Sequence, residues 1–160
     1  MILSLIHLLL LILVANGAPI IARKLLASRF NYPLDFGVQF RNHDLLGVSK
    51  TWRGVIASVM CTALVAVLLG YSLLTGVWVA LLAMAGDVLS SFIKRRLNMP
   101  PSSMAPLLDQ IPEALLPAVV MHAQFGLDVA SVMILVLGFI ALELILSRIL
   151  YRLGIRKTPY

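Results

Sequence analysis

Leu81-Leu82-Ala83-Met84-Ala85-Gly86-Asp87-Val88-Leu89-Ser90-Ser91-Phe92-Ile93-Lys94-Arg95-Arg96 is the stretch that decides how the chain is read. It belongs to an apolar run, Val77 to Ile93, long enough to lie largely in a bilayer, and that run contains one carboxylate, Asp87. By insertion scales an ionised group in the middle of a membrane helix costs roughly 2.5–3.5 kcal/mol, so an intramembrane acid marks a functional site by default. On a helix Asp87, Ser90, Ser91 and Lys94 share one face, at spacings i, i+3, i+4 and i+7. The stripe places an acid and a base together near the end of an apolar segment.

The remaining composition agrees with a bilayer setting. Of 160 residues, 61% are hydrophobic and 12% charged, and the mean hydropathy is +0.99. Soluble domains carry about 25% charged residues, so the chain reads as an integral membrane protein with a single domain over residues 1–160. Its one cysteine, Cys61, excludes an internal disulfide and reads as a small buried hydrophobe. The net charge of +6 is not gathered into one patch, which argues against a nucleic-acid partner.

Five apolar segments can be marked, at about 2–22, 54–70, 76–93, 112–125 and 129–151. The fourth is short and opens with Pro112, Glu113 and Pro117. Arg23, Lys24, Arg29, Arg41, Lys50 and Arg53 lie between the first two segments. Lys94, Arg95 and Arg96 follow the third, and Arg148, Arg152, Arg156 and Lys157 close the chain. The connections Tyr71–Thr75 and Gly126–Asp128 contain no Lys or Arg, so all thirteen basic residues fall on one side of a five-span arrangement. The positive-inside rule makes that side cytoplasmic and puts the N-terminus outside. The first segment lacks a positive leader and has its basic flank behind it, so it is expected to stay as a helix. The expected fold is an all-α integral membrane protein of about five transmembrane helices, multi-pass in the cell membrane, with two cytoplasmic polar loops forming the site.

The first polar loop ends in Gly47-Val48-Ser49-Lys50-Thr51-Trp52-Arg53-Gly54. It lacks the first glycine and the full spacing of a phosphate-binding loop, and no predicted strand precedes it. Lys50 and Arg53 nonetheless suit phosphate oxygens, with headgroup anchoring as the alternative role. The second loop ends in Leu107-Leu108-Asp109-Gln110-Ile111-Pro112-Glu113. A helical hairpin can bring Asp109 onto the site of Asp87, and two carboxylates with phosphate oxygens and water suit Mg²⁺. Helix capping or simple charge pairing is the competing role for such acids. His7 and His122 have no ligand partners at useful spacing, His43 reads as a solvated loop residue, and Glu143 is expected to turn toward Arg148.

Taken together, Ser91-Phe92-Ile93-Lys94-Arg95 with Asp109 resembles the signature of membrane CTP:phosphatidate cytidylyltransferases. The whole chain more closely resembles their small five-helix branch, the CDP-archaeol synthase family. The matching pieces are Ala15-Asn16-Gly17-Ala18-Pro19, Pro33-Leu34-Asp35-Phe36-Gly37, Phe40-Arg41 with Asp44, Gly47 with Lys50-Thr51-Trp52-Arg53-Gly54, Gly86-Asp87 through Arg96, and Leu108-Asp109-Gln110.

The resemblance implies an enzyme that transfers CMP from CTP to a phosphorylated membrane lipid and releases pyrophosphate, with Mg²⁺ as cofactor. It implies catalytic roles for Asp87, Lys94 and Asp109, and a metal held by Asp87 and Asp109, with Glu113 a possible third ligand. Substrate contacts would come from Asn16, Asp35, Lys50, Arg53, Ser90, Ser91, Arg95, Arg96 and Gln110. The chain departs from the family where Pro112 replaces a second aspartate, so that either Glu113 substitutes or one ligand is missing. It departs again after the basic cluster, where the usual glycine is altered and the chain reads Leu97-Asn98-Met99-Pro100-Pro101, and where His43, Leu45 and Leu46 alter the first loop. The lipid's chains, ether isoprenoid or diacyl, stay open, as does the oligomeric state. A transporter predicts charges spread through the membrane depth, whereas here they cluster at one interface. A non-catalytic membrane subunit is the other alternative.

Overall fold

The computed structural model describes residues 1–40, 43–100, 103 and 105–155; Arg41, Asn42, Pro101, Arg156 and Lys157 lie outside the described residues. Helices occupy all five apolar segments: α1 (Ile2–Leu26), α2 (Trp52–Leu68), α3 (Leu73–Arg96), α4 (Gln110–Met121) and α5 (Val129–Arg152). Within the first loop, β1 (Gln39–Phe40) pairs antiparallel with β2 (His43–Asp44), a small ladder that the apolar pattern did not signal. α1, α3 and α5 are long and apolar enough to cross a membrane. α4 has 12 residues, a rise of about 18 Å against a hydrocarbon core of about 30 Å.

Local chemistry fixes where the helices start and stop. Thr51, Ser72 and Asp128 cap α2, α3 and α5, each accepting a backbone N–H of the first turn. α3 ends with Asn98 in the left-handed region at φ 58°, while Met99 N–H donates to Lys94 O and Asn98 N–H to Arg95 O. This is the closing turn in which glycine is preferred and asparagine is the usual alternative. In the stretch Leu97–Pro101, where the family's glycine is altered, Asn98 therefore makes this turn.

Sequential helices pack against each other, and α1 also touches α3, α4 and α5. The core gathers Leu8, Leu11 and Ile12 of α1 with Ala114 and Ala118 of α4 and Leu135 and Phe139 of α5. α2 and α3 cross closely, because a Cβ on Gly76 would stand 2.5 Å from Ala63 Cα. Large apolar residues also cover the outside of the bundle: Ile56, Met60, Leu64 and Leu68 form one exposed stripe along α2. Cys61 lies on the exposed surface of α2, which corrects the expectation of a buried thiol. Its apolar neighbours in sequence are lipid-type surface, so hydrophobicity alone did not indicate burial.

Lys24 Nζ donates to Gly154 O at 3.3 Å, bringing the last turns of α1 and α5 to the same end of the bundle. At that end the first loop, the C-terminus of α3 and the start of α4 also meet. At the other end His7 Nδ1 lies 3.1 Å from Tyr71 Oη, and Gln124 Nε2 donates to Thr75 Oγ1 at 2.6 Å. His7 is thus satisfied within the bundle, whereas His122 is exposed, with Nδ1 2.7 Å from the Val119 carbonyl of its own helix.

Candidate active site

Asp87 and Lys94 stand on α3 two turns apart, and each meets an opposite charge from another element. Lys50 Nζ, at the end of the first loop, donates to Asp87 Oδ1 at 2.5 Å. Lys94 Nζ pairs with Asp109 Oδ1 at 2.6 Å and also donates to Ser103 O at 3.0 Å. Asp109 occupies the N-cap position of α4 without capping it. Its Oδ2 accepts Ala105 N–H at 3.0 Å, and its other oxygen faces Lys94. Helix capping, the competing role for this acid, is therefore not its role here.

Glu113 completes the group from α4. Its carboxyl interacts with Asp87 as a hydrogen-bonded pair and feels the charge of Glu143 on α5. The acid closest to Asp87 is thus Glu113, whereas Asp109 is drawn to Lys94. Glu143 faces this cluster as well. Its one-charge signal in an apolar helix was visible, but helical spacing alone did not show which neighbour it meets. Among the described residues no group of three or more His, Cys, Asp or Glu stands ready as a complete metal cage.

Gly86 explains how Asp87 and Glu113 come together. A Cβ there would collide with the carbonyl carbon and oxygen of Pro112 and lie 2.7 Å from Glu113 N. With hydrogen in that place, α3 and α4 touch backbone to backbone one residue from each carboxylate. Around Lys50, burial alone would lower the ammonium pKa, but the Asp87, Glu113 and Asp109 carboxylates outweigh it and hold the group above its ordinary value.

The guanidinium of Arg95 is buried beside this group. Nη2 donates to Pro100 O at 2.9 Å, while Nε and Nη1 are buried without a hydrogen-bond partner among the described residues. Leaving two such donors unsatisfied is costly unless something else meets them. Arg96 does something different. It donates to Phe40 O at 2.6 Å and Asp44 O at 2.7 Å and lies 5.2 Å from the Phe40 and Phe92 ring centroids, latching the β1–β2 hairpin to the end of α3.

The other expected contact residues are engaged with the protein. Arg53 donates to Ala27 O at 2.8 Å, Arg29 O at 2.7 Å and Asn31 Oδ1 at 3.2 Å, tying the chain after α1 to the first turn of α2. Ser90 Oγ donates to Asp87 O at 2.9 Å within its own helix, and Ser91 is buried. Asn16 Nδ2 donates to Ile12 O at 3.2 Å, and Gln110 Oε1 accepts Leu107 N–H at 2.8 Å. That last bond steadies Leu107, whose φ is 68°.

Asp35 organises the loop that carries Lys50. Its Oδ1 accepts Gly37 N–H at 3.0 Å, and its Oδ2 accepts Leu46 N–H at 2.9 Å and Gly47 N–H at 3.3 Å. An aspartate two residues before a glycine is a turn signal in the sequence, but its long-range partners were not legible. Burial opposes ionisation of Asp35, and the three backbone donors outweigh it, so its pKa lies below the ordinary value. A lowered carboxylate pKa contributes stability that is complete above the ordinary value and fades as pH falls through the lowered one. Asp35→Ala is expected to lose roughly 2–3 kcal/mol at neutral pH. Thermal melts should show that deficit shrinking on acidification; a pH-independent deficit would place the loss elsewhere.

The site joins two lysine–carboxylate pairs, a further carboxyl and a buried arginine with two donors unmet among the described residues, at one end of an apolar helical bundle. Such a constellation sets cationic donors beside carboxylates at one end of an apolar bundle, an arrangement suited to an anionic ligand. A family profile described as CarS-like: CDP-archaeol synthase matches residues 1–160. The chain belongs to the CDP-archaeol synthase family. It is 32% identical to the CDP-archaeol synthase of Thermofilum pendens over 92% of this chain and 76% of that protein. The corresponding protein of Sulfolobus acidocaldarius is 32% identical over 92% and 91%, and that of Pyrobaculum calidifontis 34% over 92% and 91%. A solved structure of an intramembrane enzyme for archaeal membrane lipids biosynthesis superposes with a TM-score of 0.72 at 29% identity, covering 89% of this chain and 91% of that one. The protein is therefore a membrane protein and an enzyme, a CTP-dependent cytidylyltransferase.

Proposed function

We propose that the chain transfers the CMP group of CTP to the phosphate of an archaeol-type isoprenoid ether lipid, giving the CDP-lipid and pyrophosphate. The observation that carries this reading is the paired cluster of Lys50, Asp87 and Glu113 with Lys94 and Asp109, beside two donors of Arg95 that no described residue meets. The choice of an isoprenoid ether lipid follows the relatives' names. In the reaction a lipid phosphate oxygen forms a bond to the α-phosphorus of CTP while the bond to pyrophosphate breaks. A phosphate dianion is already a nucleophile, so positioning and charge neutralisation are the protein's main tasks.

Arg95 would supply donors to the triphosphate, and Lys50 and Lys94 would exchange a carboxylate partner for phosphate oxygens. Asp35, Arg53, Ser90, Arg96 and Gln110 would act by holding the loops and helix ends in place. Asn16 and Ser91 would belong to the surrounding wall. Asp87 and Glu113 fit Mg²⁺ by the chemistry of their donors: two adjacent carboxyls supply hard oxygen ligands, and the ion customarily takes the rest from phosphates and water. Bound there, Mg²⁺ would neutralise charge on the phosphates. Asp109, engaged by Lys94, would orient that lysine or join the metal when substrate arrives. All five segments would cross the membrane, α4 only together with the turns that flank it, with the basic end cytoplasmic and the N-terminus outside.

Purified protein given radiolabelled CTP and Mg²⁺ should label an archaeol-type phosphate in preference to phosphatidate. Absence of labelled lipid with every phosphate tested, from folded protein, would reject the reading. Glu113→Gln is expected to raise the Mg²⁺ concentration needed for half-maximal activity by about tenfold or more. An unchanged Mg²⁺ requirement removes Glu113 from the ligand set.

A further inference from the structure

The loop between α1 and α2 displays aromatic side chains where a water-facing loop would bury them. Phe30 and Tyr32 are each 66% exposed, Phe36 75% and Trp52 43%. Two of them hold a left-handed backbone, Phe30 at φ 55° and Phe36 at φ 51°. A bulky residue in that region is strained, and such strain persists where the surroundings impose it, often at working surfaces.

Hydrogen bonds and one ring contact tie this segment to the first turn of α2. Arg53, in the first turn of α2, binds the carbonyl of Arg29 and the side chain of Asn31, on either side of Phe30. Trp52 N–H donates to Tyr32 O at 3.1 Å, and the Phe36 and Trp52 ring centroids are 6.3 Å apart. Trp52 is the first residue of the exposed stripe that continues through Ile56, Met60, Leu64 and Leu68. The aromatic group therefore extends the apolar outer surface of α2 beyond the helix start. Exposed Arg23, Lys24 and Arg29 precede it at the end of α1.

We infer that Phe30, Tyr32, Phe36 and Trp52 seat this loop in the headgroup layer of an anionic bilayer, as a non-helical membrane-contacting rim. Aromatic rings are favoured at the membrane–water interface, and neighbouring basic residues are attracted to anionic lipid. A soluble partner is disfavoured, because the patch is continuous with a helix face that is itself lipid-type surface. The same segment carries Lys50 on its other side, where Leu34 N–H donates to Lys50 O at 2.8 Å and Lys50 Nζ reaches Asp87. The seat would thus hold Lys50 near the depth of lipid phosphates. This inference rests on the proposed crossing of the membrane by α2, and not on the assigned chemistry.

The test is a depth measurement that needs no turnover. In a Cys61→Ser background, Phe36→Cys is labelled with an environment-sensitive fluorophore and reconstituted into anionic phospholipid nanodiscs. Tyr32→Cys supplies a second position should the first variant fold poorly. The expected result is quenching by lipids spin-labelled near the headgroup, with iodide quenching at least about threefold weaker than for the free cysteine adduct. Full iodide access overturns the inference by placing the loop in water. Shielding from both quenchers also overturns it, because protein then covers the face.

Discussion

Asp87→Asn is expected to lower CMP transfer by at least about 10³-fold while leaving a folded protein. The substitution keeps the shape and an oxygen for Lys50 but removes the charge, and loss of a key electrostatic group at a phosphoryl centre has effects of that size. Stability should change less than activity. The Lys50 and Asp87 side chains are 21% and 22% exposed, so the loss should stay below the roughly 3–5 kcal/mol of breaking a fully buried pair. Combining Asp87→Asn with Lys50→Met removes both charges, and should recover thermal stability without recovering turnover. Near-normal activity of Asp87→Asn, measured as labelled lipid per folded protein, would remove this carboxylate from the chemistry.

Gly86→Ala should do comparable damage with no change of charge. The new methyl would meet the Pro112 carbonyl and the Glu113 nitrogen, all backbone atoms that cannot rotate aside. α3 and α4 must separate, at a cost of about 1–3 kcal/mol for overpacking. Glu113 then moves relative to Asp87, and a shift of about 1 Å at reacting groups can reduce rate by about 10²-fold. Gly138→Ala on α5 is the control, because its Cβ would find only Leu9 Cδ2 at 3.8 Å. Melting temperature and rate measured on both variants decide the matter. Equal behaviour of the two would contradict the close crossing at Gly86.

The five helical segments were legible because their residues are apolar in runs bounded by glycine, proline and charge. Even the awkward fourth segment appears as a helix, α4, beginning at Gln110 and ending at Met121. The neighbourhood of Asp87 was legible for a related reason: a charge in an apolar run is conspicuous in any fold. Cys61 shows the limit of that reasoning, since an apolar context looks the same whether it faces the core or lipid. Arg53 shows another. Its residue type suits phosphate, yet its donors go to Ala27, Arg29 and Asn31, which depends on how the chain returns after α1.

Pairing is where sequence and tertiary structure part. The order of residues by itself determined a basic end, an apolar bundle, and an acid and a lysine on one face of α3. It did not determine that Lys50 meets Asp87, that Lys94 takes Asp109, or that Glu113 reaches Asp87 beside Pro112. Those partners come from different helices and loops, and their distances depend on how closely the helices cross. At Gly86 that closeness is set by a missing side chain on one helix against the backbone of another, a relation only the folded structure defines.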